Sequence, residues 1–405
     1  MPTNTQIPVS RPAGHAWEVA AAFLRLGLVS FGGPIAHLGY FRREFVQRRR
    51  WLDEEHFAQL LALCQFLPGP ASSQLGFSIG LLRAGWAGAL AAFVAFTLPS
   101  ALLLFAFAEF SDRLAGPWGQ SIVHGLKLVA VAVVAQGVLG MARSLCPDPP
   151  RMLLAVAAAI LISISALPAM QLLVVVGGAV LGPLLCRRVM ARQGDTFALP
   201  YGSRTGAVLL VAYGVLLVAA LSLSRLLPPV GQMAAAFYRT GALVFGGGHV
   251  VLPLLKHAVV DPGWIGADTF LAGYGAAQAV PGPMFTLSSF LGKQMFGGQG
   301  GALGALISVL SIFLPGLLAV AGTLPFWRAL AARDQAARML AGVNAAVVGL
   351  LAAAFYDPVW VSAISSVWDV AIAAVGFAGL VAMRWPAWAV VIWCVGASLA
   401  RHALA

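Results

Sequence analysis

Long apolar runs alternate along this chain with short polar clusters, and the length of the runs decides the class of protein. Trp86–Ala108, Thr205–Ser224 and Met339–Tyr356 contain no charged residue. About 20 apolar residues cross a hydrocarbon layer roughly 30 Å thick, so each window predicts a transmembrane helix. Met152–Cys186 is also uncharged but too long for one span. Pro168 stands at its middle and predicts two helices joined by a tight turn. Composition points the same way, because 60% of the 405 residues are hydrophobic and only 10% are charged, where a soluble domain carries about 25%. Water cannot solvate such a surface, so the lipid bilayer is the first expected partner.

The pattern repeats. Phe23-Leu-Arg-Leu-Gly-Leu-Val-Ser-Phe-Gly-Gly-Pro34 is echoed by Phe237-Tyr-Arg-Thr-Gly-Ala-Leu-Val-Phe-Gly-Gly-Gly248, which pairs Arg25 with Arg239 and Gly27 with Gly241. Gln65-Phe-Leu-Pro-Gly-Pro70 returns as Gln278-Ala-Val-Pro-Gly-Pro283, and Phe96-Thr-Leu-Pro99 as Ile312-Phe-Leu-Pro315. Gly125-Leu-Lys127 then lines up with Gly342-Val-Asn344. Blocks in one order at a nearly constant offset predict two homologous halves. Their bounds are 17–192 and 232–405, after a tail at 1–16 and around a linker at 193–231 that carries its own helix.

Charge orients the halves. The loop after the first glycine block holds Arg42, Arg43, Arg48, Arg49 and Arg50 against Glu44, whereas its counterpart offers Lys256 and His257 beside Asp261. Cytoplasmic loops collect Lys and Arg, so the two loops are expected on opposite sides of the membrane. Arg187, Arg188, Arg192, Arg328, Arg333 and Arg338 then fall inside, and Glu109, Asp112 and Arg113 outside. These signs agree only if Phe57–Leu82 enters and leaves on one face, as a re-entrant hairpin with Pro68-Gly-Pro70 at its tip. The expected fold is an all-α polytopic membrane protein. Its two homologous halves form an inverted repeat with broken, re-entrant helices at Pro-Gly-Pro and about nine full spans. The excess of 25 basic over 14 acidic residues belongs to those loops. With no basic stripe interleaved with aromatics, it does not point to nucleic acid.

The breaks carry the candidate chemistry. Proline stops a helix, and Pro70 and Pro283 suit the first position of the next one. The following residues, Ala71–Gln74 and Met284–Leu287, are expected to expose free backbone N–H groups at the positive end of a helix dipole, where anions bind. Pro68, Gly69, Pro70, Pro281, Gly282 and Pro283 would shape the two cradles. Ser72, Ser73 and Thr286 would add hydroxyl donors, and Gln65 and Gln278 amide donors one turn away. Arg25 and Arg239 stand inside apolar stretches, where ionisable groups are costly and usually functional, and forked guanidinium donors suit tetrahedral oxygens. The alternative for them is an interfacial position with the side chain reaching to headgroups. Lys127 is a weaker candidate of the same kind. Gly32, Gly33, Gly246 and Gly247 allow close backbone approach. No strand precedes them and no Gly-Lys-Ser/Thr follows, which excludes a nucleotide loop. His249 after the second run is a candidate proton site.

All fourteen acidic residues lie near span ends or in loops, so no buried carboxylate relay is expected. Cys64, Cys146, Cys186 and Cys394 show no metal-ligand spacing and are expected as small core residues. No metal or cofactor is called for. The first apolar stretch, broken by Arg25, has no cleavage pattern of a signal peptide.

Phe31-Gly-Gly-Pro34, Gln65 with Pro68-Gly-Pro70, and Pro281-Gly-Pro283 in the second half together resemble the chromate ion transporter family in its two-domain bacterial form. The resemblance runs from about Trp17 to Ala400. It implies a multi-pass protein of the bacterial inner (plasma) membrane that exports chromate, draws on the proton motive force and confers chromate resistance. Gly248 replaces the proline of the first block, so the two blocks are not equal. Chromate and sulfate are both tetrahedral dianions, and sulfate or another oxyanion is the alternative cargo. An anion channel is the nearest alternative mechanism, and a second copy of the chain is a candidate partner. A membrane-embedded enzyme is the remote reading, since neither Gly-x-Ser-x-Gly nor His-Glu-x-x-His occurs.

Overall fold

Helix starts are written into the chain and the structure uses them. Pro117, Pro149 and Pro229 open helices at positions that need no N–H partner. Asp53, Asp148 and Ser366 cap helices by accepting from the backbone N–H of His56, Arg151 and Asp369 at 2.7, 3.1 and 3.2 Å. The computed structural model describes residues 14–31, 33–111, 116–165, 170–190, 197–245, 251–296 and 298–404, and among these every regular element is helical.

The first half runs α1 (Ala16–Val29), α2 (Gly33–Phe41, prolonged by a π-helical stretch Arg42–Arg48), α3 (Glu54–Phe66), α4 (Ala71–Ser111), α5 (Pro117–Leu145), α6 (Pro149–Ile164) and α7 (Met170–Leu185). Helix α8 (Ser203–Ser222) connects the halves. The second half runs α9 (Pro229–Leu243), α10 (Val251–Leu255, prolonged by Lys256–Val260), α11 (Ala267–Ala279), α12 (Leu287–Gln294), α13 (Gly301–Thr323), the short α14 (Trp327–Ala331), α15 (Asp334–Ala354), the one-turn α16 (Val361–Ala363), α17 (Val367–Val381) and α18 (Ala387–Leu404).

Helix α4 is two helices in one. Ala84 and Gly85 leave helical geometry, with Gly85 at φ +64°, and the corresponding place in the second half is the turn between α12 and α13. Helices α3 and α11 have thirteen residues each, about 20 Å at 1.5 Å per residue. That is too short to cross roughly 30 Å of hydrocarbon. Each therefore turns back at its Pro-Gly-Pro, as loop charge predicts for α3 and the internal repeat for α11. Helices α6 and α7 are the two halves of the long uncharged run, and Pro168 between them lies outside the described residues. Among the described residues, five helical stretches are long and apolar enough to span on their own: 71–110, 118–145, 203–222, 301–331 and 334–363. Shorter apolar helices among the described residues are α6, α7, α10 with its π-helical extension, α17 and α18.

The repeat is inverted. The C-terminal part of α5 (Gln136, Gly140, Ser144) and the N-terminal part of α15 (Ala337, Ala341, Asn344) line one cavity, so these equivalent helices run antiparallel. At the far end of α5, Ser398 Oγ donates to Ser121 O at 2.7 Å, and His124 Nε2 meets Asp369 Oδ1 at 2.8 Å. One end of the molecule gathers the arginines: Arg48 and Arg49 on Glu44, Arg83 on Glu18, Arg42 on Glu54, Arg151 on Asp148, and Arg338 on the Val189 carbonyl. Burial opposes ionisation of Glu44, but the bonds from Arg49 and Arg48 outweigh it and hold its pKa below the ordinary carboxylate value. The other end carries Lys293 on Glu109, Lys256 near Asp261 and Asp357, and Arg401 on Asp369.

Stripes at helical spacing, such as Leu90-Val94-Leu98-Leu102 on α4 and Leu303-Leu306-Leu310-Leu314 on α13, stay exposed. They form the lipid-facing surface. All four cysteines are free and buried.

The two Pro-Gly-Pro tips lock the halves together. Gly69 N donates to Val244 O at 2.7 Å, and Gly282 N donates to Ser30 O at 3.0 Å. Val244 follows α9 as Ser30 follows α1, so each tip bonds to the equivalent position of the other half. Such reciprocity is the mark of a two-fold. Gly69 and Gly282 have φ of +121° and +106°, a region that L side chains rarely adopt. A Cβ would lie 2.8 Å from Gly316 Cα at the first and 2.8 Å from Ser100 Oγ at the second. Gly69→Ala and Gly282→Ala are each expected to cost at least about 1–3 kcal/mol of backbone strain, read as a lower unfolding midpoint in lipid nanodiscs. A midpoint equal to wild type would show that the tips tolerate a side chain.

Candidate functional site

A cavity of about 830 Å³ enters from the arginine-rich end and reaches the first tip, within the roughly 300–1,000 Å³ usual for ligand clefts. Its mouth lies beside Val189, Met190, Leu330, Ala331 and Ala337, and its inner wall holds Gln65, Gly69, Ala71, Ser72, Gln136 and Asn344. The cavity exists because α3 ends at Phe66 and α4 restarts at Ala71, leaving the first turn of α4 uncovered on one side.

The donor set is neutral. The amides of Ala71, Ser72 and Ser73 have no partner among the described residues, as expected at a helix start. The side chains of Gln65, Gln136 and Asn344 make no hydrogen bond to another described residue, and the buried Ser73 Oγ and Asn344 Oδ1 are likewise unpaired. Gln74 fixes the turn instead, donating from Nε2 to Pro68 O at 2.8 Å and to Gly316 O at 3.0 Å. The ionisable residues of the lining are Glu55 near the mouth and Arg151, whose charge is already matched by Asp148 at 2.6 Å. Helix dipole, backbone N–H groups and amide side chains are what the cavity offers an anion.

Several expected site residues are elsewhere. Arg25 is exposed on the outer face of α1, alongside Leu24 and Leu28, while Val19, Phe23, Leu26 and Gly27 face inward. It is not among the residues that line the cavity. Arg239 is half-buried on α9 and is not part of the lining either, so the cavity contains no arginine clamp. Lys127 is engaged by Asp268 at 2.5 Å. At the second break the expected open helix end is replaced by a 3₁₀ turn, Met284–Thr286, which satisfies the Thr286 and Leu287 amides internally. Thr286 Oγ1 donates to Pro283 O at 2.7 Å, Gln278 Nε2 lies 3.9 Å from Met284 Sδ, and Pro281, Gly282 and Pro283 are buried. That break opens into no described cavity. Pro68 is half-buried and Pro70 buried beside the first tip, and Gly33 opens α2. Gly32, Gly246, Gly247 and His249 lie outside the described residues.

Sequence reading underrated three groups. Asn344 was visible only as the counterpart of Lys127, and Gln136 as a lone amide in an apolar span. Asp369 does sit at a span end, yet its side chain is fully buried, held by His124, Arg401 and Ser365. Its burial depends on α5 and α18 packing over it, which no local pattern encodes.

The profile of the family described as chromate transporter matches residues 17–183 and again 231–399. A probable chromate transport protein of Synechococcus elongatus is 28% identical over 348 residues, covering 85% of this chain and 84% of its own length. A chromate transport protein of Pseudomonas aeruginosa is 28% identical over 374 residues, covering 88% and 83%. An uncharacterized transporter of Methanocaldococcus jannaschii is 29% identical over 343 residues, covering 84% and 83%. No solved structure matches. With its profile matched once in each half, this chain belongs to the chromate transporter family.

Proposed function

We propose that this protein carries chromate out of a bacterial cell across the inner membrane and so confers chromate resistance, binding the dianion where the cavity meets the first turn of α4. The observation that carries the reading is the coincidence of unpaired helix-start amides, at Ala71 to Ser73, with free amide side chains at the end of a cavity. Family membership and the names of the relatives support chromate as cargo. Placing the arginine-rich end in the cytoplasm follows the positive-inside rule, and the cavity then opens toward the cell interior. Arg187, Arg188, Arg328 and Arg333 flank the mouth residues in sequence, so their field draws anions inward. An inside-negative potential favours exit of a dianion by about 4.6 kcal/mol per 100 mV.

A carrier fits better than a channel, because the cavity stops at the first tip while the second break is buried. Neutral donors arranged for tetrahedral oxygens do not distinguish chromate from sulfate by shape, so sulfate is expected to compete. The test is chromate flux in proteoliposomes at a clamped potential, with sulfate as competitor. Voltage-driven flux that saturates and is blocked by sulfate supports the reading, and the absence of chromate flux rules it out.

Two further outcomes are expected from the same assay. Removing one donor to an anion costs about 1.5–3 kcal/mol, so Gln65→Ala and Asn344→Ala should each raise half-saturation about 10- to 150-fold. Unchanged values would place the anion elsewhere. Arg25→Gln should leave half-saturation within about two-fold, as for an outward-facing side chain; a large loss of affinity would return Arg25 to the site.

A further inference from the structure

The second break has the same neighbours as the first and none of its openness. Glu55 and Asp268 occupy the same place in the first turns of α3 and α11, Gln65 and Gln278 the same place near their ends, and Asn344 of α15 corresponds to Lys127 of α5. On the open side Glu55, Gln65 and Asn344 all stand on the cavity wall. On the closed side Gln278 is buried, and Lys127 Nζ lies 2.5 Å from Asp268 Oδ1. The inverted repeat therefore places an ion pair where its other half places an opening.

We infer that the second break is the floor of a mirror-image vestibule, shut in this conformation, in which Lys127 is an oxyanion-binding cation and Asp268 its resting counter-ion. This rests on the oxyanion reading above and adds to it a second, charged site at the opposite end. The exposures show which partner leaves on opening: the Lys127 side chain is 12% exposed and that of Asp268 73%. The carboxylate already stands in solvent and can swing away, whereas the ammonium stays in the wall. A buried ammonium left alone is costly, so an arriving dianion takes the place of the carboxylate. Return of Asp268 displaces the anion, and release and closure become one exchange. The two vestibules then differ in kind, neutral at Asn344 and cationic at Lys127. His124, one turn before Lys127, is already bound to Asp369 and does not compete for Asp268.

The test uses the full chain in oriented vesicles, in a background without its four cysteines. Leu340→Cys reports the open cavity, and Val123→Cys reports the equivalent position of the mirror vestibule. An impermeant maleimide is applied from each side, with and without chromate. Wild type should label at 340 with chromate protection, and weakly at 123. D268N should raise labelling at 123 about five-fold or more, since a lost latch shifts the population toward opening, and chromate should protect it. K127Q should also raise labelling at 123, but without chromate protection. The charge swap K127D/D268K should restore weak labelling, which shows a folded protein with its latch reversed. Labelling at 123 unchanged in both single variants overturns the latch. Equal chromate protection in K127Q and D268N overturns the binding role of Lys127. If chromate protects neither reporter, the oxyanion reading and that role fall together, while a rise at 123 in D268N still sustains the latch.

Discussion

A broken helix in a membrane leaves backbone groups that lipid cannot satisfy, and this fold depends on how two such breaks are closed. Each unsatisfied N–H or C=O in hydrocarbon costs several kcal/mol. Gly69 N on Val244 O and Gly282 N on Ser30 O make each half the hydrogen-bond partner of the other. Neither half can close its own tip, so the halves are obliged to pack as an inverted pair. The Pro-Gly-Pro sequence serves that end: prolines remove donors that would otherwise be stranded, and the glycine between them reaches the positive φ that aims its N–H across the interface.

Near-symmetry makes the differences between the halves informative. After the first break come Ala71, Ser72, Ser73 and Gln74; after the second come Met284, Phe285, Thr286 and Leu287. The first set offers hydroxyls and amides, and its helix starts directly, leaving its early N–H groups unused. The second set is mostly apolar and winds into a 3₁₀ turn that uses its own carbonyls. One tip is thereby wettable and the other dry, on nearly the same backbone plan. On the proposed reading, the polar tip holds the anion in this conformation while the dry tip is sealed.

Much of this was legible from the chain. Uncharged windows located α8 and the long parts of α4 and α15, Pro168 divided α6 from α7, and loop charge required the re-entrant hairpin that α3 and the start of α4 form. The position of Arg25 was not legible, for a physical reason. In a soluble helix the polar face points to water, but lipid is as apolar as the core, so α1 shows no contrast between Phe23 facing in and Leu24 facing out. The 3₁₀ turn at Met284 and the burial of Asp369 depend on packing partners far away in sequence. Lys127 and Asp268, 141 residues apart, meet only because the halves are inverted.

The only arginine among the described lining residues, Arg151, is already matched by Asp148, and on the proposed reading a lining without an unpaired guanidinium fits transport better than the clamp that the sequence suggested. A transport site must bind well enough to fill and weakly enough to empty. Two guanidinium forks on a dianion in a low-dielectric wall would form charge-assisted, bidentate bonds of the strongest kind, and release would be slow. Backbone amides and the α4 dipole supply partial charges fixed in direction, while Gln65, Gln136 and Asn344 supply donors that can rotate with the ligand. Unpaired positive charge stands near the mouth, where Arg187, Arg188, Arg328 and Arg333 are exposed and, on the proposed reading, act on encounter. On the proposed reading, separating attraction from retention in this way lets a dianion be gathered strongly and held lightly.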